Sequence, residues 1–211
     1  MPKCKNCNTT FEQYQFNNKF CKKTDCQYQK WIWIKEENKV KQQKALSKAY
    51  KQRVMNNPSV YLKESKATLQ REINTIIRLI DKGVQCVDCH RVHSEPSWDA
   101  GHFASVGSNH SLRYNLHNIF KQTRHCNSMS EGNKLNYFRG LISLYSQDYA
   151  FFVESQSLKY KFVKISSDDY PILINRCRKI IKELRKEDKK YSSKQRIDLR
   201  DKYQKEIGIY L

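Results

Sequence analysis

Four cysteines near the N-terminus have the spacing of a zinc site. Two residues separate Cys4 from Cys7, and four separate Cys21 from Cys26. Structural zinc takes four ligands in a tetrahedron, and each short cysteine pair presents two sulfurs to one ion. Residues 1–30 are too few to build a hydrophobic core of their own. We therefore predict a zinc-binding module held by these four thiolates.

A second group of cysteines lacks one member. Cys86 and Cys89 form a pair, Cys126 follows 37 residues later, and Thr123 occupies the place where a full second pair would have its other cysteine. Cys177 lies in an apolar helical pattern, so we expect it to be a core thiol. A second zinc is predicted, and the sequence leaves its fourth ligand open: His125, His90, His93, or none at a degenerate, metal-free site.

Between these cysteines lie residues suited to metal-dependent phosphodiester hydrolysis. His102 is the candidate general base, because a neutral imidazole accepts a proton from water near pH 7. Asp99 and Asn127 are candidate oxygen ligands for a hard divalent ion such as Mg²⁺ or Mn²⁺. Asn118 is the candidate residue that orients the imidazole. Taken singly, each of these residues also fits an ordinary turn or surface role.

The charge of the chain indicates a polyanionic partner. The 211 residues carry 40 Lys and Arg against 21 Asp and Glu, a formal net charge of +19, and such an excess does not help folding. Basic segments at both ends of the chain are typical of arms that contact phosphates. Arg113 and Lys121 are candidate DNA contacts, with plain surface charge as the alternative. We expect His110 and His117 to face solvent rather than act as further ligands.

The elements that must position these residues follow from local pattern. Trp31 to about Met55 predicts a long, polar, basic helix, ended by Asn56-Asn57-Pro58. A second helix is expected from an N-cap at Ser59 to Gly83, with its apolar residues on one face. Residues 84–140 indicate two small strands and one brief helix.

The C-terminal third shows a mixed pattern. Phe151–Ile165 alternates in a way that predicts one or two strands. Asp168 and Asp169 are expected to cap a helix beginning at Pro171. Residues 185–205 are so strongly charged that we expect helix there only where the segment docks.

These elements define an α+β fold in four segments. They are a four-cysteine zinc module at 1–30, a basic helical spacer at 31–83, a compact core at 84–145 and a basic, largely helical region at 146–211. No apolar run is long enough to span a bilayer, and a cysteine pair stands where a signal sequence would lie. We therefore expect a cytoplasmic protein with reduced cysteines and no membrane partner.

Several of these motifs together resemble a known family. Asp99-Ala100-Gly101-His102-Phe103, Asn118-Ile119 and Cys126-Asn127 are similar to the strand and helix segments of zinc-supported HNH nucleases. With the N-terminal cysteine module, they resemble more specifically the NinG (Rap) family of phage recombination endonucleases. Two departures stand out: Gly101 precedes the histidine where HNH nucleases have an acid, and Thr123 replaces a cysteine.

The resemblance implies a ββα-metal (HNH) nuclease core with one catalytic divalent ion and structural zinc. It implies that His102 is the general base, Asn118 its orienting partner, and Asn127, with Asp99, a ligand of the Mg²⁺ or Mn²⁺. The resemblance implies a phage-encoded enzyme that hydrolyses phosphodiesters in branched DNA, such as a Holliday junction. A junction nuclease cuts two symmetric strands, so we expect a homodimer.

Two other functions fit the same residues. One is a nicking or sequence-specific HNH endonuclease on linear duplex, and the other is an inactive, zinc-stabilised DNA-binding protein. The sequence leaves open the preferred DNA, the catalytic metal and the role of residues 145–170.

Overall fold

The first two helices of the chain have opposite surface patterns. In the computed structural model, which describes residues 1–13, 16–91, 98–129 and 133–210, helix α1 spans Thr24–Met55 and helix α2 spans Pro58–Ile80. Cys26 is the one buried residue of α1, whereas α2 buries a continuous face of five large apolar residues: Leu69, Ile73, Ile76, Ile77 and Ile80. Both predicted helices are confirmed, and α1 begins earlier than expected.

The N-cap predicted for α2 is corrected. Asn57, not Ser59, caps this helix, because its Oδ1 atom accepts hydrogen bonds from the backbone amides of Ser59 at 3.2 Å and Val60 at 3.3 Å. The predicted glycine stop is confirmed at Gly83, whose φ of +79° is a backbone conformation that favours glycine.

The chain divides into two compact units, residues 1–61 and 62–211. The division falls inside the segment predicted as one helical spacer, so α1 and most of α2 belong to different units. The physical reason is that α2 has an apolar face to bury in the larger core, while α1 has none.

A small antiparallel sheet lies in the larger unit. Strand β1 (Trp98–His102) pairs with strand β2 (Ile119–Thr123), with Trp98 opposite Thr123 and His102 opposite Ile119. Helix α3 (Arg124–Met129) follows β2 directly. The prediction of a mixed α+β fold with two short strands and a brief helix is confirmed.

The sheet lies between two apolar cores. Successive side chains of a strand point to opposite faces, so Ile119 joins a core built on α2 while the adjacent Phe120 joins a second core. Helices α4 (Lys134–Leu144) and α5 (Gln147–Lys159) supply much of the second core. Helices α6 (Tyr170–Glu187) and α7 (Ser193–Ile207) pack with α2 in the first.

The strand prediction for Phe151–Ile165 is wrong. The Ser146 hydroxyl accepts a hydrogen bond from the Tyr149 amide and begins α5. The buried residues of α5 recur at helical rather than alternating spacing, which leaves Phe151 and Phe152 largely exposed. Residues 160–169 then form a loop.

The predicted start of α6 is confirmed with one change. Asp169 occupies the N-cap position, but its side chain makes no capping hydrogen bond. The expected buried face is present, with Leu173, Cys177 and Ile180 in the apolar core.

Helix α7 docks through buried arginines. The Arg200 guanidinium is fully buried and donates to both carboxylate oxygens of Asp81, at 3.0 and 2.8 Å. Asp81 also accepts hydrogen bonds from the Lys121 amide and the Tyr145 hydroxyl. One buried carboxylate therefore joins the end of α2, strand β2 and α7, which explains why so charged a segment is helical.

Within the described residues, no helix is both long enough and apolar enough to cross a bilayer.

Candidate metal centres and catalytic residues

The four N-terminal cysteines converge. Their sulfur atoms all lie within 4.8 Å of one another, and Cys7 Sγ is 3.7 Å from Cys21 Sγ. A tetrahedral zinc with bonds of about 2.3 Å places its sulfurs about 3.8 Å apart. Cys4, Cys21 and Cys26 are buried. This cluster can hold zinc, as the sequence predicts.

Hydrogen bonds favour a thiolate at Cys4 of the first cluster; at Cys26 the Asn6 hydrogen bond lowers the pKa, but burial and the neighbouring thiols raise it to about 12. Burial alone would raise the pKa of the Cys4 thiol, but hydrogen bonds from the amides of Cys7, Cys21 and Asn6 lower that pKa to about 6. The Cys21 amide donates to Cys4 Sγ at 3.3 Å, and the Asn6 side chain donates to Cys26 Sγ at 3.5 Å. Thiolate is the form that binds a metal.

The second cluster contains three cysteines. The sulfurs of Cys86, Cys89 and Cys126 meet the same 4.8 Å limit. Burial opposes ionisation of the Cys86 thiol, yet amide hydrogen bonds, including those of Cys89 and Thr123, lower its pKa below the usual value. This cluster can also hold zinc, provided that a fourth ligand completes the tetrahedron.

The Thr123 hydroxyl, rather than the exposed His125 ring, lies beside the three-cysteine cluster. Thr123 Oγ1 lies 3.9 Å from Cys86 Sγ, close to the spacing of two zinc ligands. His125 is exposed on α3, and the His90 ring is hydrogen-bonded to the Asn136 carbonyl at 3.3 Å. The remaining candidate, His93, lies outside the described residues.

His102 has the surroundings of a general base. Its Nε2 atom is 2.9 Å from the Arg113 carbonyl oxygen. A carbonyl oxygen only accepts, so Nε2 carries the proton and a neutral ring has its lone pair on Nδ1. Burial lowers the pKa of His102 below 6.5, although the hydrogen bond to Arg113 acts in the opposite direction. The imidazole is therefore neutral at pH 7.

Among the described residues, Asn118 makes no hydrogen bond with the His102 imidazole. Its Oδ1 atom accepts from the Ala104 amide at 2.8 Å, and its Nδ2 atom donates to the carbonyls of Ala104 and Leu112. Asn118 thus fixes both ends of the loop that joins β1 to β2, the loop that carries Arg113. The structure therefore shows Asn118 bonded to the backbone of Leu112, next to Arg113 whose carbonyl accepts from His102, and not to the imidazole that it was predicted to orient.

Asp99 and Asn127 form a pair across β1 and α3. Asn127 Nδ2 donates to Asp99 Oδ2 at 3.1 Å. Asn127 Oδ1 lies 3.0 Å from the point where a side chain at Gly101 would begin. Gln122 Oε1 lies closer still, 1.8 Å from that point, so a side chain at position 101 would collide with Gln122 before it reached Asn127.

His102 and the Asp99–Asn127 pair leave β1 on different sides. Residues 99 and 101 share one face of the strand, and residues 100 and 102 share the other. His102, however, is the last residue of β1, next to Gly101. The structure thus brings Asp99 to Asn127, and it places the candidate base three residues further along β1 and on the other face of the strand.

Arg113 borders a basic cavity. The cavity measures about 870 Å³, and its lining includes Lys66, His110 and Lys164 along with Arg113. Arg113 Nε also donates to Gln70 Oε1 at 3.1 Å. The candidate phosphate contact at Arg113 therefore has cationic neighbours.

Lys121 is placed differently. It is 8% exposed, its Nζ atom donates to the Val84 carbonyl at 2.9 Å, and it lies 3.8 Å from the centre of the Trp98 ring. Burial lowers its pKa. These contacts favour a structural role for Lys121 over the predicted contact with DNA.

The expectation that His117 faces solvent is wrong. His117 is 4% exposed, with Nδ1 2.9 Å from the Tyr149 hydroxyl and Nε2 3.2 Å from Asp201 Oδ1. Adjacent buried elements enclose it, which a loop-like sequence does not reveal. His110 is exposed, as expected.

Three residues near the site have no distinctive sequence signal. The Tyr137 hydroxyl donates to the Gly101 carbonyl at 2.7 Å and fixes β1 from α4. Arg78 on α2 is close enough to Asp99 for that carboxylate to raise its pKa, although burial lowers it overall. Gly140 packs so tightly that any side chain there would collide with the Val87 carbonyl oxygen.

Fold and sites together define a mixed α+β protein with two cysteine clusters that can hold zinc. The family model described as "Bacteriophage Lambda NinG protein" matches residues 1–187. The chain therefore belongs to the NinG family.

Curated relatives agree with this family. Protein ninG of Escherichia phage lambda is 33% identical over 93 residues, 44% of this chain and 45% of the relative. Protein ninG of Salmonella phage P22 is 35% identical over 68 residues, 32% of this chain and 33% of the relative. The aligned region is thus less than half the length of these relatives. No solved structure gives a significant match.

Proposed function

We propose that this NinG-family protein is a metal-dependent DNA endonuclease of the HNH type that hydrolyses phosphodiesters in branched DNA. The observation that carries the proposal is the state of His102. The Arg113 carbonyl holds its Nε2–H, and burial keeps the ring neutral. An imidazole held in this way presents one lone pair, on Nδ1, that can take a proton from an attacking water.

Asp99 and Asn127 supply oxygen donors that fit a hard divalent ion. Magnesium binds through one or two carboxylates and completes its coordination with water and substrate phosphate oxygens. The Asn127 amide nitrogen holds the Asp99 carboxylate through a hydrogen bond, and the oxygen of the same Asn127 amide is the second candidate donor. Mg²⁺ or Mn²⁺ bound there would neutralise charge on the scissile phosphate and on the leaving oxygen.

The excess of basic residues and the cationic cavity beside Arg113 support a DNA substrate. The preference for branched DNA rests on the resemblance described above. Because a four-way junction is cut at two symmetric strands, we expect two copies of the chain to act together, which sedimentation of the zinc-loaded protein will test.

The central experiment compares cleavage of a synthetic four-way junction with that of a linear duplex of the same arms. His102→Ala should lower the Mg²⁺-dependent rate by about 10²–10⁴-fold, the usual contribution of a general base, while junction binding persists. His125→Ala is the matched control, because His125 is an exposed histidine that does not line the cavity beside Arg113, and it should keep near wild-type activity.

Each outcome of this comparison decides one part of the proposal. Equal cutting of junction and duplex overturns the branched-DNA preference and leaves a nuclease on linear DNA. If wild type cuts neither substrate with Mg²⁺ or Mn²⁺, the protein is a zinc-stabilised DNA-binding protein instead. Asp99→Asn and Asn127→Ala should raise the Mg²⁺ concentration needed for half-maximal rate, and an unchanged requirement contradicts their ligand role.

The pH profile tests the state of His102. Since burial lowers its pKa, the neutral base persists below pH 6.5, and kcat/KM should decline only as the pH falls through that lower value. A decline centred above pH 6.5 would contradict the assignment.

A further inference from the structure

One stretch of α1 is exposed around its whole circumference. Every residue from Lys41 to Arg53 is exposed. No aspartate or glutamate occurs from residue 38 to residue 63, while Lys and Arg occur six times between residues 39 and 53. A solvated helix in soluble proteins normally alternates its charges, and this one does not.

Four of these cations form a stripe. Lys41, Lys44, Lys48 and Lys51 follow one another at intervals of three, four and three residues. At 3.6 residues per turn they fall within an arc of about 80°, and at 1.5 Å per residue the stripe is about 15 Å long. We call these four residues the lysine stripe.

The lysine stripe has no neutralising partner in the part of the chain that the structure describes. The lysine ion pairs there belong to other residues: Lys82, Lys134, Lys189 and Lys202. Like charges three and four residues apart oppose helix formation, and an isolated helix is marginally stable in water. A bound polyanion would remove this repulsion.

We propose that the lysine stripe is a docking surface for the sugar-phosphate backbone of duplex DNA. The proposal deepens the proposed function, on which it rests for the identity of the polyanion. One strand of duplex DNA carries a phosphate about every 3.4 Å along the axis. Over 15 Å of axis the two strands together carry about nine phosphate charges, so the duplex offers a phosphate to each of the four lysines.

The surface chemistry disfavours the other occupants of a basic helix. Membrane-bound helices need a continuous apolar face, and between Lys41 and Lys51 the large apolar residues are Leu46 and Tyr50 alone. A coiled-coil partner needs an apolar heptad seam, which this segment lacks. Since backbone contacts read no bases, the stripe should bind DNA without regard to sequence.

The test measures how DNA affinity depends on salt. The zinc-loaded protein of 211 residues, free of Mg²⁺ and Mn²⁺, is titrated onto a fluorescent 30-base-pair duplex in about 50–300 mM KCl, and binding is followed by anisotropy. Substituting all four stripe lysines by glutamine (Lys41→Gln, Lys44→Gln, Lys48→Gln, Lys51→Gln) should lower the slope of log K against log salt by about 3 to 4, since each phosphate contact contributes about 0.9. Affinity at 100 mM KCl should fall tenfold or more.

A matched control removes the same charge elsewhere. Lys179, Lys182, Lys186 and Lys194 are equally exposed, on α6 and α7. Changing these four to glutamine should alter the slope by less than about 1. Circular dichroism verifies that both variants keep the helix content of wild type. The stripe variant replaces exposed residues with another good helix former, so it is expected to fold.

Three outcomes overturn the inference. The first is an equal loss of DNA affinity in the stripe variant and the control variant. The second is an unchanged salt slope in the stripe variant. The third, measured with anionic lipid vesicles in place of DNA, is a stripe variant that no longer binds vesicles but still binds DNA as wild type does. Because the titrations contain no catalytic ion, they are independent of cutting. If the wild type never cuts DNA but its salt slope falls when the stripe is removed, the proposed nuclease function is wrong and the docking surface stands. If the wild type cuts DNA but the stripe variant has the wild-type salt slope, the docking surface is wrong and the nuclease function stands.

Discussion

The two cysteine clusters begin with the same backbone turn and are completed differently. After Cys4, the Asn8 amide bonds back to the Cys4 carbonyl and the Cys4 amide bonds to the Thr9 carbonyl. After Cys86, the His90 amide and the Arg91 carbonyl make the equivalent bonds with Cys86. The fifth residue of each turn has the same left-handed φ of 56°, at Asn8 and at His90. The first turn meets two more cysteines, and the second meets Cys126 and a threonine hydroxyl.

The surroundings of the two clusters explain the difference. Around the first cluster the buried apolar residues are three of the cysteines and Phe20, with Cys7, Phe11 and Trp33 partly buried. Beside the second, Val87 belongs to a core that includes Phe103 and Phe120. We infer that zinc folds the N-terminal module, whereas the larger unit folds around its own core and its cysteine cluster is an addition to a formed structure.

The largest expected effect is at the first cluster. Cys21→Ser should remove one zinc per chain and unfold residues 1–23, because structural zinc contributes about 10–16 kcal/mol of apparent binding free energy. Metal analysis and the dispersion of the amide NMR signals measure both effects. Cys177→Ser, which alters a buried thiol of the α6 core outside both clusters, should leave the zinc content unchanged. A folded module without its zinc would contradict the comparison.

A smaller effect is expected at the second cluster. Cys126→Ser should remove the other zinc while the larger unit keeps a cooperative melting transition. A loss of about 2–3 kcal/mol lowers the melting temperature of a unit of this size by about 5–10 °C. Calorimetry with parallel metal analysis tests this. Complete unfolding of residues 62–211 would show instead that both clusters depend on metal in the same way.

Packing of α4 against the turn that follows Cys86 should also affect the stability of the larger unit. Gly140→Ala places a side chain against the Val87 carbonyl, and overpacking of this kind costs about 1–3 kcal/mol. Gly107→Ala is the control, since no atom lies within 4 Å of a side chain added there. Urea denaturation compares the two. Equal midpoints would mean that α4 does not support the Val87 turn.

The smallest expected effect is a gain. Thr123→Cys supplies the missing thiolate at a position whose side-chain oxygen is already 3.9 Å from Cys86 Sγ. Zinc affinity of the second cluster should rise about tenfold or more, about 1.4 kcal/mol, in competition with a chromophoric chelator. Thr123→Ser should leave the affinity near wild type. An unchanged affinity in Thr123→Cys would indicate that another ligand already fills the fourth position.

Local signals predicted the elements that depend on local chemistry. The cysteine spacing, the helix stop at Asn56-Asn57-Pro58 and the left-handed Gly83 all follow from neighbouring residues. The strand prediction for the α5 segment failed for a physical reason. Phe151 and Phe152 are exposed on the helix, but as aromatic residues they give the sequence pattern of a strand. The residue that caps the helix, Ser146, is not distinguished in the sequence from the other serines.

In the candidate site, too, some features follow from the sequence and others depend on the tertiary structure. The sequence by itself determined which side chains can do chemistry: His102, Asp99, Asn127 and the two cysteine groups. Only the tertiary structure decided their states. It assigned the His102 proton through the Arg113 carbonyl, turned Asn118 onto the loop backbone, and buried Lys121 and His117. Residue type and spacing are properties of the chain, whereas burial and hydrogen-bond partners come from segments distant in sequence, and these set proton position and pKa.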